Sequence, residues 1–409
     1  MEATVYHLFA NSALWSTFDT AVVNPNAIGF TGGTFDGRYV YLAPYATTVT
    51  ARYDTTASFT SNGSWGAFDV KPLLDALPRD AGPDAALVDA GTNAPFYGCA
   101  FDGRYVYLLP GNGPPAFAAR FDTKGTFTSG ASWEAYDLAP LAGGNAYGFG
   151  GGTFDGQYVY VVPNSTSILA RFDTTSGTFS GSGTGWSTFD TNTLPDAGSG
   201  NSFTGAVFDG RYVYLVPSSS IAARYDTHGP ISSASSWSTF DTTTLNFNAY
   251  SFSGGAFDGK YLYLVPNQNG IVMRYDTTAG DFSSPTPWAF FNTTKVRPLA
   301  KGYFGAAFDG RYVYFVPDVD FNLYFYTSVP DGLAVRYDTT LSFFNAAAWT
   351  TFDTGTLANA AGFSGAVFDG EYLYFVPYNN ASNDGIVARF DAKTPPSMPK
   401  LPDFHGSFF

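Results

Sequence analysis

The sequence is short of the residue types that most enzyme chemistry uses. It has one cysteine, Cys99, in 409 residues, so no intrachain disulfide can form and no cysteine-based zinc site can be built. Its three histidines, His7, His228 and His405, stand at no metal-ligand spacing from one another. Glutamate occurs only as Glu2, Glu134 and Glu371. There is no nucleophile elbow, phosphate loop or dinucleotide fingerprint, and Gly150-Gly151-Gly152 reads as part of a strand. Charged residues make up 13% of the chain, well below the usual quarter. Lys and Arg number 20 against 34 Asp and Glu, a net charge of −14. That balance disfavours non-specific nucleic-acid binding and docking on anionic lipid. No apolar run reaches the length of a membrane-spanning helix. Met1-Glu2-Ala3-Thr4 begins without the basic and apolar regions of a signal peptide. Scarce Lys with abundant Tyr and Thr leans toward an exported or surface protein, and the compartment stays open.

Aromatic residues are what the chain has in plenty: 18% of it, with 40 Phe, 28 Tyr and 7 Trp, beside 45 Gly and 25 Pro. Many aromatics, many glycines and few charges suit β-structure with tight turns. The aromatics are periodic. Phe-Asp-Gly begins at Phe35, Phe101, Phe154, Phe208, Phe257, Phe308 and Phe368, at steps of 49 to 66 residues. An Arg, then Tyr or Phe, then Asp begins at Arg52, Arg120, Arg171, Arg224, Arg274, Arg336 and Arg389. All seven Trp, from Trp15 to Trp349, are followed three residues later by Phe or Tyr and then by Asp, or once by Asn292.

Each unit reads as four short strands. The first ends at Phe-Asp-Gly, and Asp-Gly makes a tight hairpin turn. A fixed Gly in that strand, as at Gly151, implies close backbone approach. The second strand has the form Tyr212-Val213-Tyr214-Leu215-Val216-Pro217, with its two Tyr on one face. The third carries Arg-Tyr-Asp and the fourth Trp-x-x-Phe-Asp. Four-stranded units of this length are the mark of propeller blades. The first Trp strand, Trp15 to Asp19, precedes the first Phe-Asp-Gly, and the last unit has no Trp strand after Asp391. The N-terminal strand therefore completes the last blade, which closes the ring and removes two sheet edges. The expected fold is all-β: a seven-bladed β-propeller with four antiparallel strands per blade. Residues 1–391 form it, and 392–409 are a Pro-rich tail.

The order Phe-Asp-Gly-Arg-Tyr-Val-Tyr, then Arg-Tyr-Asp-Thr-Thr, then Trp resembles the kelch repeat across residues 12–391. The resemblance implies the propeller fold. Kelch-type propellers host partner binding, sugar-related enzymes and scaffolds, so it selects no function.

Seven copies of a group are not needed for one reaction. The repeated Asp residues are accordingly read as turn-formers, and the repeated third-strand Arg residues as partners of repeat acids within or between blades. Function is sought where the units differ. The spacing from Phe-Asp-Gly to the second-strand Pro never varies. The second-to-third connections vary, with 7 to 19 residues from Pro to Arg. The blade-to-blade connections also vary, with 15 to 32 residues from the fourth-strand acid (or Asn292) to the next Phe-Asp-Gly. Strand alternation puts both kinds of loop on one face of the disc, where binding residues concentrate. Three loops there stand out. The Val70–Pro95 insertion carries Asp75, Arg79, Asp80, Asp84 and Asp89. The segment after Pro317 carries Asp318, Asp320, Asn322, Tyr324 and Tyr326. The segment after Pro377 carries Tyr378, Asn380 and Asp384. The last two belong to consecutive blades, and their eight residues are the expected ligand-binding set. No catalytic residues and no cofactor are assigned. Asp318, Asp320 and Asn322 alternate as oxygen ligands of Ca²⁺ do, without the fixed Gly and terminal Glu of a calcium-hand loop. The expected function is recognition of a glycan or protein partner by a monomer, without nucleic acid or membrane insertion. The alternative is a hydrolase or lyase on a polysaccharide or similar polar substrate.

Overall fold

The structure, a computed structural model, describes residues 4–78, 96–112, 115–194, 202–322 and 327–394; of 319–322 and 327–330 it describes the backbone alone. Seven antiparallel four-stranded sheets make up the body. The first strands of successive blades lie side by side around the axis, and the last packs against the first. The fourth blade is representative, with strands Phe203–Phe208, Tyr212–Pro217, Ile221–Asp226 and Trp237–Asp241. The seventh is composite. Trp15–Asp19 pairs with Ile386–Asp391, with Trp15 opposite Phe390 and Asp19 opposite Ile386. The N-terminal strand thus supplies the missing outer strand, as its displaced Trp implied.

The repeated residues build each blade in the same way. Asp209 Oδ1 accepts the amides of Arg211 and Tyr212 at 2.8 and 2.7 Å, and its Oδ2 accepts the buried Tyr214 hydroxyl at 2.7 Å. One carboxylate therefore sets the turn and satisfies a core phenol. The following Gly210 has φ 102, which favours glycine. In the first strand, the glycine explained by sequence as close approach is instead the site of a bulge: Gly151 has φ 105 where the pairing slips between Phe149 and Gly152. The close approach belongs to Gly152, where a Cβ would run into the Tyr160 carbonyl oxygen.

The tryptophans form a belt. Each indole Nε1 donates to a backbone carbonyl in the loop before it, as Trp237 does to Ile231 at 2.8 Å. Each ring also stacks on the fourth-strand aromatic of the preceding blade. Phe18 lies on Trp65 with ring centroids 4.7 Å apart, Phe240 on Trp288 at 4.7 Å, and Phe352 on Trp15 at 4.7 Å. The belt closes through Trp15.

The third-strand arginines depart from expectation. Among the described residues none pairs with a repeat Asp. Arg224 instead lies over the Tyr212 ring at 4.3 Å and the Phe282 ring of the next blade at 5.0 Å, and its Nη1 donates to the Tyr275 hydroxyl at 3.1 Å. Register explains this. Arg224 stands opposite Ser238 on the fourth strand and Tyr214 on the second, so no acid faces it. The third-strand Asp226 is taken by Arg211 of the hairpin, at 2.7 Å. Among the described third-strand arginines, Arg120 alone has an acid, Glu134 at 2.8 Å, which lies outside the repeat pattern.

Beyond the blades, Val5–Tyr6 pairs with Lys393–Thr394 in a two-stranded ribbon. The Lys393 ammonium donates to the Asp309 carbonyl. Residues 395–409, most of the Pro-rich segment, lie outside the described residues.

Candidate functional site

The second residue of each first strand stands at the seam with the next blade near the axis. The hydroxyls of Thr31, Thr204, Ser253 and Ser364 each donate to the first-strand carbonyl of the next blade, at Phe96, Phe252, Tyr303 and Phe30. In the third blade the position is Gly150, and the Asn164 side chain donates to Phe203 in its place. These bonds tie each of these inner strands to the next. The second and sixth blades break the pattern with aromatics, Tyr97 and Phe304.

Tyr97 belongs to a group at the mouth on the variable-loop face. The residue after the second-strand Pro is Tyr45 in the first blade, Asp318 in the sixth and Tyr378 in the seventh. Tyr45 meets Tyr97 edge to face at 5.2 Å and Tyr378 edge to face at 5.4 Å. All three tyrosines are partly exposed. Burial, the neighbouring Tyr45 and the Asp318 carboxylate raise the pKa of Tyr97 and of Tyr378 above the usual phenol value, which keeps both neutral. Four consecutive blades, the sixth, seventh, first and second, therefore turn their polar ends to one arc of the entrance.

Asp318 is the charge-bearing member. It is 5% exposed, and its Oδ1 has no hydrogen-bond partner among the described residues. Burial alone pushes its carboxyl up to about 7. Its backbone is well anchored: its amide donates to Gly302 and its carbonyl accepts from Asp331, both at 2.9 Å. Between these anchors Val319–Asn322 and Thr327–Pro330 form an antiparallel ribbon, with Asp320 opposite Val329 and Asn322 opposite Thr327. Tyr324 and Tyr326 lie outside the described residues, as do the side chains of Asp320 and Asn322.

The loop after Pro377 divides by role. Gly362, at φ 69, accepts the amides of Tyr378 and Asn379 on its carbonyl and so fixes where Tyr378 stands. Asn380 is committed to the loop, its side-chain amide donating to the Asn359 carbonyl. Asp384 sits at the seam with the first blade. Its Oδ1 accepts the Ile386 amide at 3.0 Å, its carbonyl accepts from Gly29, and burial together with nearby Asp19 raises its carboxyl. Of the expected residues, Asp318 and Tyr378 come together, while Asn380 and Asp384 shape the loop. Tyr45 and Tyr97 were not among them. Their signals are in the sequence: Tyr45 follows Pro44 as Tyr378 follows Pro377, and Tyr97 stands where five of the other six blades carry Thr, Ser or Gly.

The same face exposes apolar side chains on its blade-to-blade loops: Val22 at 57%, Phe247 at 85% and Leu299 at 58%. In the insertion, Lys71–Asp75 forms one helical turn closed by a Lys71–Asp75 ion pair of 3.1 Å. Arg79, Asp80, Asp84 and Asp89 lie outside the described residues. Among the described residues no group of three or more His, Cys, Asp or Glu is placed to hold a metal.

The fold is that of a seven-bladed β-propeller whose channel entrance is asymmetric on one face. Two solved structures are similar to it over almost their whole length: YCF48 bound to D1 peptide, at 14% identity and TM-score 0.53, covering 95% of this chain and 97% of that one, and a chain of the mitotic checkpoint complex, at 11% identity and TM-score 0.56, covering 96% and 99%. No family model and no curated protein sequence matches the chain.

Proposed function

We propose that the protein is a non-catalytic recognition propeller that binds a peptide segment of a protein partner on its variable-loop face, at the channel mouth. The observation that carries this reading is the arc of Tyr378, Tyr45 and Tyr97 beside the buried Asp318, whose Oδ1 has no hydrogen-bond partner among the described residues. Partly exposed tyrosines supply large, rigid contact area with a polar end, the character of binding hot spots. The exposed Val22, Phe247 and Leu299 add apolar surface to the same face. The two similar propellers come from a peptide-bound structure and a multi-protein complex, which supports the class of ligand. The paired backbone of 319–322 and 327–330 stands beside the site in this reading, and the chain acts as a monomer.

The test is selection from a displayed peptide library, run beside a glycan array and turnover assays on polysaccharides, each with and without Ca²⁺. Peptides are expected to be selected, to lose at least tenfold in affinity with Tyr45→Ala or Tyr378→Ala, and to bind Lys124→Glu on the opposite face normally. Glycan binding at the same tyrosines would replace the partner class. Turnover abolished by one loop-carboxylate substitution would replace recognition by hydrolase or lyase chemistry. A requirement for Ca²⁺ would return the 318–322 segment to consideration as a cation site.

A further inference from the structure

We infer that the group this mouth takes from its partner is a cationic side chain, the guanidinium of Arg or the ammonium of Lys, held between the tyrosines and Asp318. The inference rests on the recognition reading above and names its chemistry. A carboxylate that is 5% exposed is ordinarily paired, because an isolated buried charge is costly. Among the described residues Asp318 has no ion pair, and its Oδ1 accepts no hydrogen bond. Burial raises its carboxyl, and no ion pair among the described residues offsets that cost. Acids of the repeat are served, as Asp226 is by Arg211 at 2.7 Å and Asp338 by Arg311 at 2.6 Å. Asp318 is therefore an acceptor with no donor among the described residues of its own chain.

The groups beside it fit a cation and not an anion. Backbone hydrogen bonds tie Asp318 through Asp331 and Gly362 to Tyr378, the Asp318 charge contributes to raising the Tyr97 and Tyr378 phenols, and Tyr45 packs against both rings. Phenol oxygens accept hydrogen bonds from N–H donors, and aromatic faces attract cations within about 6 Å. The chain already uses this pairing internally, with third-strand Arg residues on tyrosine faces, as Arg274 lies over Tyr261 at 4.0 Å. A guanidinium or ammonium at the mouth would pair with Asp318 and meet tyrosine faces as Arg274 meets Tyr261. The net charge of −14 favours the approach of such a partner.

The probes are butylguanidinium and butylammonium, with N-butylurea as the neutral isostere, titrated against the whole chain by ligand-observed NMR. At least one cation is expected to bind at least tenfold more tightly than the urea. Asp318→Asn and Tyr378→Ala are each expected to weaken it at least tenfold, and Lys124→Glu to leave it unchanged. Peptides selected on this face are expected to share a Lys or Arg whose replacement by Gln costs at least tenfold. Equal binding of cation and urea, or cation binding that Asp318→Asn leaves intact, overturns the inference. The comparison of cation with urea is made on the unaltered chain, so it decides the matter even if a variant fails to fold. If peptides bind at the tyrosines without a basic residue, this inference fails and the recognition reading stands. If no peptide binds this face, the reading itself fails.

Discussion

Asp318 carries a cost that should be measurable without any ligand. Burial raises its carboxyl to about 7, against an ordinary value near 3.9 in an unfolded chain. The folded state then holds the proton more tightly than the unfolded state. By linkage, this group's contribution to stability is most favourable below about pH 4 and declines as pH rises toward 7. A tenfold difference in proton affinity corresponds to about 1.4 kcal/mol, so the loss is on the order of a few kcal/mol. Asp318→Asn has no proton to lose. Its stability relative to the native chain is expected to rise between pH 4.5 and pH 7.5, read from urea midpoints at the two values. An identical difference at both would mean that the carboxyl is not buried as described. The neighbouring phenols stay neutral throughout this range, so they do not mask the effect. Asp318 was legible in the sequence as a loop acid, but its isolation was not. The same limit explains Arg224. Composition said that an Arg recurring seven times with acids should pair with them, yet the acid two residues on, Asp226, is claimed by the hairpin Arg211. Which of two arginines reaches a carboxylate depends on register and rotamer, which a linear pattern does not carry.

At the scale of the element, repetition made the blades readable and its absence hid the loops. Asp-Gly turns, paired tyrosines and the Trp strand recur seven times, so each blade could be checked against six others. The mouth has no such redundancy. Tyr45 and Tyr97 become a pair only when the first and second blades are brought together, and their sequence separation says nothing of a 5.2 Å ring contact. The Trp belt, by contrast, has one partner at every blade and makes a sharp prediction. Phe240, 4% exposed, stacks on Trp288 at 4.7 Å with ring planes 11° apart. Removing a buried aromatic of this kind costs about 3–5 kcal/mol. At the equivalent place in the second blade Tyr136 stacks on Trp186, also at 11°. Phe240→Ala is therefore expected to lower stability by roughly that amount, and Phe240→Tyr by less than about 1.5 kcal/mol. Equal losses from the two substitutions, in urea unfolding, would show that something other than the stacked ring holds the blades together there.

For the whole molecule the decisive fact is that its ends meet in one blade. A ring of seven similar sheets is stable only when it closes, since an open ring leaves two unpaired edges and half of an apolar interface at each side. Closure here depends on residues 15–19. They pair along the full length of Ile386–Phe390, and they supply stacking on both sides: Trp15 on Phe352 of the sixth blade and Phe18 on Trp65 of the first. The segment before them adds Phe9, whose carbonyl accepts the Trp15 indole at 3.1 Å and whose ring meets Tyr314 and Phe390. Removing residues 1–20 therefore takes away one outer strand and opens two inter-blade contacts at once. A sharp fall in melting temperature is expected, far beyond the effect of losing one exposed strand. A peptide spanning residues 4–23, supplied in excess, should bind the vacated edge and raise the midpoint again with peptide concentration, because a ligand that binds only the folded form stabilises it by mass action. Scanning calorimetry of the truncated chain with and without that peptide makes the measurement. An unchanged melting curve on truncation would show that the seventh blade closes without its N-terminal strand, and the composite blade would then be a passive feature of the ring.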